Sequence, residues 1–308
     1  MGKNWKANVA AVPPLANFRL GEASGDPVDD TGTYDTATYD NDPELAQPGA
    51  IADDDDTSVR FSAAAANRVK FHKHSDVATN RRMGWIPVGQ AYSAFAWVKY
   101  EGPKEVNNIS YGIAGSYRAS TVQGWWLYIT NGILALRAGD SFDTFLVYKD
   151  ESATIWDDGW HWVGYTKEAN ADEDLCDPTD ITLYLDGQPL SAPTITGTSL
   201  TQPAEFTGTG WAGYMGARLV HKNPDFYDAG WEGCLDDVTM FEVELTAQQI
   251  SDLYDDATEE DEVVVVVPED TADPNDGGAS FRPSRYDPLL TRRSTRRPFL
   301  GAVTRRRR

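Results

Sequence analysis

Trp156-Asp157-Asp158-Gly159-Trp160-His161-Trp162-Val163-Gly164-Tyr165-Thr166, then a polar acidic loop, then Ile181-Thr182-Leu183-Tyr184-Leu185-Asp186-Gly187: this stretch decides the fold. Two β-type runs flank a loop, and the second alternates. Ile181, Leu183 and Leu185 fall on one face, with Thr182, Tyr184 and Asp186 on the other. Asp186-Gly187 then supplies the positive φ angles of a tight hairpin turn. Strands of this kind, repeated along the chain, predict a sandwich.

Composition agrees. The chain has 308 residues, with 10 Trp, 14 Tyr and 11 Phe against 4 Met. Aromatic and β-branched residues suit a pleated, half-buried surface, so the balance leans towards β. The length admits one large all-β domain with extensions and a sizeable core. Charge is split. The net charge is −21, while residues 282–308 hold ten Arg against Asp287 and carry +9, which leaves −30 on residues 1–281. Such a body repels phosphates and anionic membranes, and the basic tail prefers the opposite partners. Cys176 and Cys234 allow a single disulfide and imply no disulfide framework. Met1-Gly2-Lys3-Asn4-Trp5 does not begin a secretory signal, and no apolar run is long enough for a bilayer, so no membrane insertion is expected. Work outside a cell would need another exit route, such as assembly into a particle.

Taken in order, residues 1–14 form an N-terminal arm ending at Pro13-Pro14. A first strand runs Leu15 to Leu20 into Gly21-Glu22-Ala23-Ser24-Gly25-Asp26. Pro48-Gly49-Ala50 and Asp53 to Asp56 precede a strand at Thr57–Phe61. Further strands are expected over 91–100, 109–116, 124–130, 133–137 and 145–148, with Asn131-Gly132 as a hairpin turn. Residues 191–206 read as a loop with an edge strand. Gly-spaced residues 210–217 and then Trp231 to Phe241 supply the last strands. The clearest helix lies at 244–254, where Thr246 and Gln249 form a capping box and Ile250, Leu253 and Tyr254 form the apolar stripe.

Four motifs, in this order, resemble the laminin G-like, concanavalin A-like jelly roll: Leu20-Gly21-Glu22-Ala23-Ser24-Gly25-Asp26 followed by Pro48-Gly49-Ala50 and Val59-Arg60-Phe61; the strand Phe95-Ala96-Trp97-Val98; Trp160-His161-Trp162-Val163 with Leu183-Tyr184-Leu185-Asp186-Gly187; and Gly233-Cys234-Leu235-Asp236-Asp237-Val238 leading to Leu245-Thr246 and Gln249-Ile250. The resemblance covers roughly residues 15–256. It implies an all-β fold, a jelly-roll β-sandwich of two antiparallel sheets, with one short C-terminal helix and extended terminal arms. Residues 257–281, with Val263 to Val267, read as an acidic/Val linker whose Val run could add a strand to a sheet edge. Residues 282–308 read as an Arg-rich C-terminal arm.

Catalysis is disfavoured. Related glucanases place carboxylates by a Glu-x-Asp-x-Glu strand, which this sequence lacks. Glu242-Val243-Glu244 is the nearest, at the start of the helix. His72 and His74 read as a basic loop, and His161 as a packed core histidine. No Zn spacing occurs. The resemblance implies calcium at a rim loop, with Asp236 and Asp237 first and Asp157, Asp158 and the run Asp53 to Asp56 as further candidates; none has EF-hand spacing, and acidic loops are more often solvated. Trp85, Tyr117, Trp125, Trp126, Trp211, Tyr214 and Trp231 exceed what a core requires and are candidates to stack on a glycan. Of adjacent Trp125 and Trp126, one must face inwards. Arg292, Arg293, Arg296, Arg297, Arg305, Arg306, Arg307 and Arg308 suit anion binding: acidic surfaces of neighbouring copies, or nucleic acid through the tail alone.

These observations lead to a non-catalytic structural or binding module. A basic arm on an acidic jelly roll resembles bacteriophage virion proteins of tail or capsid surface. The jelly roll is expected to recognise glycan, including cell-surface glycan, or a partner protein, and the arms to bind other virion proteins or copies of the same chain. The alternatives are a secreted or cell-surface lectin-like protein and a divergent glycan hydrolase or lyase.

Overall fold

A computed structural model describes residues 9, 11–34, 37–51, 54–72, 90–104, 109–115, 124–139, 145–170, 177–191, 193–197, 211–219, 227–228 and 230–258. The strands are β1 (Ala16–Phe18), β2 (Ala37–Asp40), β3 (Glu44–Pro48), β4 (Thr57–Phe61), β5 (Arg68–His72), β6 (Tyr92–Tyr100), β7 (Ser110–Gly115), β8 (Gly124–Thr130) and β9 (Ile133–Gly139). They continue with β10 (Phe145–Thr154), β11 (Trp160–Lys167), β12 (Ile181–Leu185), β13 (Gln188–Pro189), β14 (Thr194–Gly197), β15 (Trp211–Met215), β16 (Arg218–Leu219), β17 (Tyr227–Asp228) and β18 (Gly233–Phe241). Helix α1 spans Ala247–Thr258.

Two antiparallel eight-stranded sheets hold nearly all of these strands. The first runs β13-β12-β11-β6-β18-β4-β3, with β1 also on β18, and the second runs β14-β10-β9-β8-β7-β15-β5-β2. The chain is therefore a β-sandwich. Alternation places one set of side chains between the sheets: Val59, Val98, Val163, Leu183 and Leu235 from the first, Val69, Ile113, Trp125, Leu127 and Leu136 from the second. The turns follow the expected chemistry. Asp186 and Gly187 sit at φ 51° and 73°, and Asn131 and Gly132 at φ 52° and 76°.

The first sheet is buried on its outer face as well. Phe95, Trp97, Trp162 and Tyr184 alternate outwards and form a second apolar cluster with Phe241, Leu245, Ile250, Leu253 and Ala257. Helix α1 supplies the roof. The Thr246 amide donates to Gln249 Oε1 at 2.9 Å and the Gln249 amide to Thr246 Oγ1 at 3.2 Å, the reciprocal box expected there. Ring stacking ties the layers together: Phe95 on Trp162 at 4.5 Å and Trp97 on Tyr254 at 5.7 Å.

Three expectations change. His72, expected in a basic loop, ends strand β5, where Val69 is drawn into the core and its neighbours Arg68 and Lys70 turn outwards; His74 lies outside the described residues. Strand β10 extends to Thr154, well past Tyr148. His161 is a rim residue gripped by carboxylates instead of an apolar core residue.

Candidate ligand-binding face

The outer face of the second sheet differs in chemistry from that of the first. Register aligns one row straight across it: Thr196 on β14, Val147 on β10, Arg137 on β9, Trp126 on β8, Gly115 on β7, Tyr214 on β15, Lys70 on β5 and Thr38 on β2. Residues directly opposite across an antiparallel ladder share a face, with strands about 4.8 Å apart. The row thus sets a guanidinium beside an indole, leaves a glycine gap, then sets a phenol beside an ammonium. A parallel row holds Lys149, Ala135, Tyr128 and Gly112. Trp126 and Tyr128 stack at 4.0 Å and 10°. Asp40 accepts from Arg68 Nη2 at 2.6 Å and also pairs with Lys70.

Exposure is graded across this face. Trp126, Tyr128 and Tyr214 are only 2%, 6% and 3% exposed. A Cβ on Gly112 would come within 2.8 Å of Trp126 Nε1 and 2.9 Å of the Ala217 carbonyl oxygen, so the chain after β15 crosses here. Arg137, Val147 and Lys149 are half-buried, and Thr194 and Thr196 are exposed. The accessible part of the row is its β9–β10–β14 end. The expected free platform of rings is corrected accordingly. Trp126 and Tyr214 face outwards but are covered, and Trp125 points into the inter-sheet core, edge-on to Tyr165 at 5.5 Å. Trp231 is core as well, against Tyr100. Trp211 lies on β15 opposite His72, its side chain outside the described residues. Trp85 and Tyr117 also lie outside them, as do Arg292, Arg293, Arg296, Arg297, Arg305, Arg306, Arg307 and Arg308 of the C-terminal arm.

The carboxylates proposed for calcium fall at two places, Asp157 with Asp158 at one and Asp54, Asp56 and Asp237 around Arg19 at the other, while Asp53 lies outside the described residues. Asp157 and Asp158 precede β11. There Asp157 Oδ1 lies 2.8 Å from His161 Nε2, while Asp158 pairs with Lys104. The other ring nitrogen, Nδ1, lies 2.8 Å from Asp186 Oδ2. Burial alone would pull the His161 pKa down, but hydrogen bonds and charge from Asp186 and Asp157 outweigh it and hold the value at about 8. Asp157 in turn is lowered, first by the Gly159 amide and then by His161.

Asp236 and Asp237 lie buried in mid-strand on β18, beside a different cation. Arg19 reaches Asp54 Oδ2 at 2.6 Å, Asp56 Oδ2 at 2.7 Å and Asp237 Oδ1 at 3.3 Å. Burial opposes the charge of Arg19, but Asp237, Asp54 and Asp56 overcome it and raise its pKa. The Asp236 oxygens accept from the Ala50 and Asp237 amides at 2.8 and 2.9 Å, and burial followed by the Asp237 charge pushes its pKa well above the carboxylate range. A guanidinium stands where a divalent ion would, so the arrangement does not fit calcium at Asp236 and Asp237. Among the described residues no group of three or more His, Cys, Asp or Glu side chains is placed to hold a metal.

Sequence reading missed Arg68, Lys70, Arg137 and Asp40 on the outer face, and Arg19 at the rim. The signal for the first two was present. Arg68-Val69-Lys70-Phe71 alternates cation and apolar residue, the period of a strand with one cationic face.

No protein-family model and no curated protein sequence matches the chain. Solved structures do. A botulinum neurotoxin type C structure, described as dependent on two ganglioside molecules for cell entry, superposes with TM-score 0.52 and 16% identity over 82% of this chain and 53% of that one. The binding domain of botulinum neurotoxin DC in complex with rat synaptotagmin II gives TM-score 0.52 and 12% identity over 80% of this chain and 52% of that one. The chain spans about half the length of these structures. At such identity the likeness establishes the β-sandwich fold.

Proposed function

We propose that this chain is a non-catalytic binding and structural module. The outer face of its second sheet recognises glycan or a partner protein, and its Arg-rich arm anchors it in an assembly, a bacteriophage virion by the character of the sequence. The single observation that carries the binding role is the accessible end of the row, where Arg137 and Val147 lie in register with Thr196, and Lys149 with Thr194, beside the covered Trp126–Tyr128 stack. Cations and hydroxyls there bond the hydroxyls or carboxylates of a sugar. A ligand docks at this Arg137–Lys149 end. Similar folds support the reading: a neurotoxin binding domain is described in complex with synaptotagmin II and another with SialylT.

Glycoside hydrolysis is disfavoured because the sequence has no Glu-x-Asp-x-Glu strand. Strands β7, β8, β9 and β15 carry no carboxylate and Asp40 of β2 is already paired with Arg68 and Lys70, while Asp150 and Glu151 lie on β10 with side chains outside the described residues. Calcium has no part in this reading, since Arg19 supplies the positive charge at the acidic rim.

Two measurements test it. A glycan array with the full chain should retain a subset of glycans, and Arg137→Gln should weaken that retention about tenfold, roughly 1.4 kcal/mol, with melting temperature unchanged. Retention untouched by Arg137→Gln removes the face from the proposal. Light scattering of the full chain beside residues 1–256 across salt tests the anchor. Salt-sensitive higher assemblies from the full chain alone support it, and monomers from both remove it.

A further inference from the structure

A β-sandwich has to protect its sheet edges, because unpaired backbone groups invite another strand. Most edges here are guarded. Strand β3 carries Pro48, a register shift between Glu44 and Gln47, and Ala46 at φ 55°. Strand β13 has only two residues, one of them Pro189. The outer side of β1 is occupied by the Phe18–Asp29 bridge and the Asp30 amide on the Asn17 carbonyl at 2.9 Å. On β2 the Tyr39 amide donates to Asp26 Oδ1 at 3.1 Å.

Strand β14 is the exception. Thr194-Ile195-Thr196-Gly197 pairs with β10 on one side, and among the described residues no hydrogen bond reaches its other side. All four residues are exposed, Ile195 at 41%. The strand has no charge, internal proline or bulge. It also lies within an 18-residue stretch, Gly187 to Ala204, without one charged side chain, in a chain where 24% of residues are charged. Comparable uncharged stretches, such as 119–136, are spent largely on core strands, whereas this one reaches the surface.

We propose that β14 is where two copies of this chain meet, its outer edge pairing antiparallel with β14 of the second copy about a twofold axis. Charge selects this occupant. Residues 1–281 carry −30, so two copies repel almost anywhere else on these bodies. An uncharged edge is the place where close approach adds no like-charge pair. Centred on Ile195, the twofold sets Ile195 opposite its counterpart and Thr194 opposite Thr196 on both sides, pairs that favour antiparallel strands. The two eight-stranded second sheets then become one continuous sheet of sixteen. Three paired strand residues from each copy bury far less than the roughly 1,200 Å² of a stable interface. The contact is accordingly weak in solution and strengthened where other contacts hold copies together.

Salt separates this contact from anchoring by the basic arm. Raising ionic strength from 0.1 M to 1 M shortens the screening length from about 10 Å to about 3 Å. Edge pairing between acidic bodies should strengthen, while pairing of an Arg-rich arm with an acidic body should weaken. The experiment is sedimentation equilibrium of the full chain and its Ile195→Lys variant at both salts. The expected result is self-association that rises with salt, lowered at least tenfold by Ile195→Lys at 1 M with an unchanged melting temperature. As a second readout, Ile195→Cys should give a disulfide-linked dimer on mild oxidation, and Val28→Cys, at an exposed site elsewhere, should not. Association by Ile195→Lys equal to the parent, association that only falls with salt, or a monomer throughout overturns the proposal. None of these outcomes depends on glycan retention, so the two readings fail separately.

Discussion

The outer faces of the two sheets make an instructive pair. Both present tryptophan on central strands, Trp97 and Trp162 on one and Trp126 on the other. The first face carries an apolar cluster sealed by α1, whose Ile250 and Leu253 complete it. The second alternates rings with Arg68, Lys70 and Arg137 and keeps one end open to solvent. The same residue type packs under a helix in one setting and backs a cation-bearing row in the other. Its neighbours in register decide which.

The sharpest way to break this contrast is Trp162→Ala. Removing a ring stacked on Phe95, in the cluster that α1 covers, should cost about 3–5 kcal/mol in denaturant unfolding; a loss below about 1 kcal/mol would mean that α1 is not a true roof. Next comes pH. His161 has a folded pKa of about 8 against an unfolded value near 6.5, so it favours the fold below pH 6.5 and that contribution disappears as pH rises through 8. The shift corresponds to at most about 2 kcal/mol, nearer 1 once solvent screening at exposed Asp157 is included. His161→Gln should flatten the stability profile between pH 6.5 and 8, and an unchanged slope would refute the clamp. Thr246→Ala, which removes the helix cap, should cost about 1 kcal/mol, read as a lowered melting temperature. Trp126→Phe should cost under about 1.5 kcal/mol, because an aromatic ring remains. It should leave glycan retention unchanged, since Trp126 is covered. Weakened retention on the array would place Trp126 in the binding surface.

Much of the sandwich was legible because alternation and turn chemistry are local. Ile181, Leu183 and Leu185, the Asp186-Gly187 turn and the Thr246–Gln249 box each rest on residues a few positions apart. What escaped depends on register between distant segments. Nothing local in Arg137 says that it lies opposite Trp126, or that Gly115 separates Trp126 from Tyr214. Arg19 shows the same limit. Arg19 and its partners Asp54, Asp56 and Asp237 are spread across more than two hundred residues, so nothing local in Asp236-Asp237 shows the guanidinium beside it. Burial misled in the opposite direction. A surplus of aromatics suggested an exposed platform, whereas Trp125 and Trp231 fill the interior and Trp126 and Tyr214 are covered from outside.

The register of β1 on β18 has a mechanical consequence. Ala16 lies opposite Met240 and Phe18 opposite Val238, with the Leu15 amide bonded to the Met240 carbonyl at 2.7 Å. The two strands therefore leave the domain at the same end. Tension between residues 15 and 241 would open this pair like a zipper, one backbone bond at a time, instead of shearing all its bonds together. Force arriving from the C-terminal side meets α1 first and must peel Leu245, Ile250 and Leu253 from their cluster before it reaches β18. The helix thus works as a latch on this seam, and single-molecule pulling should show its release as a small step before the main rupture.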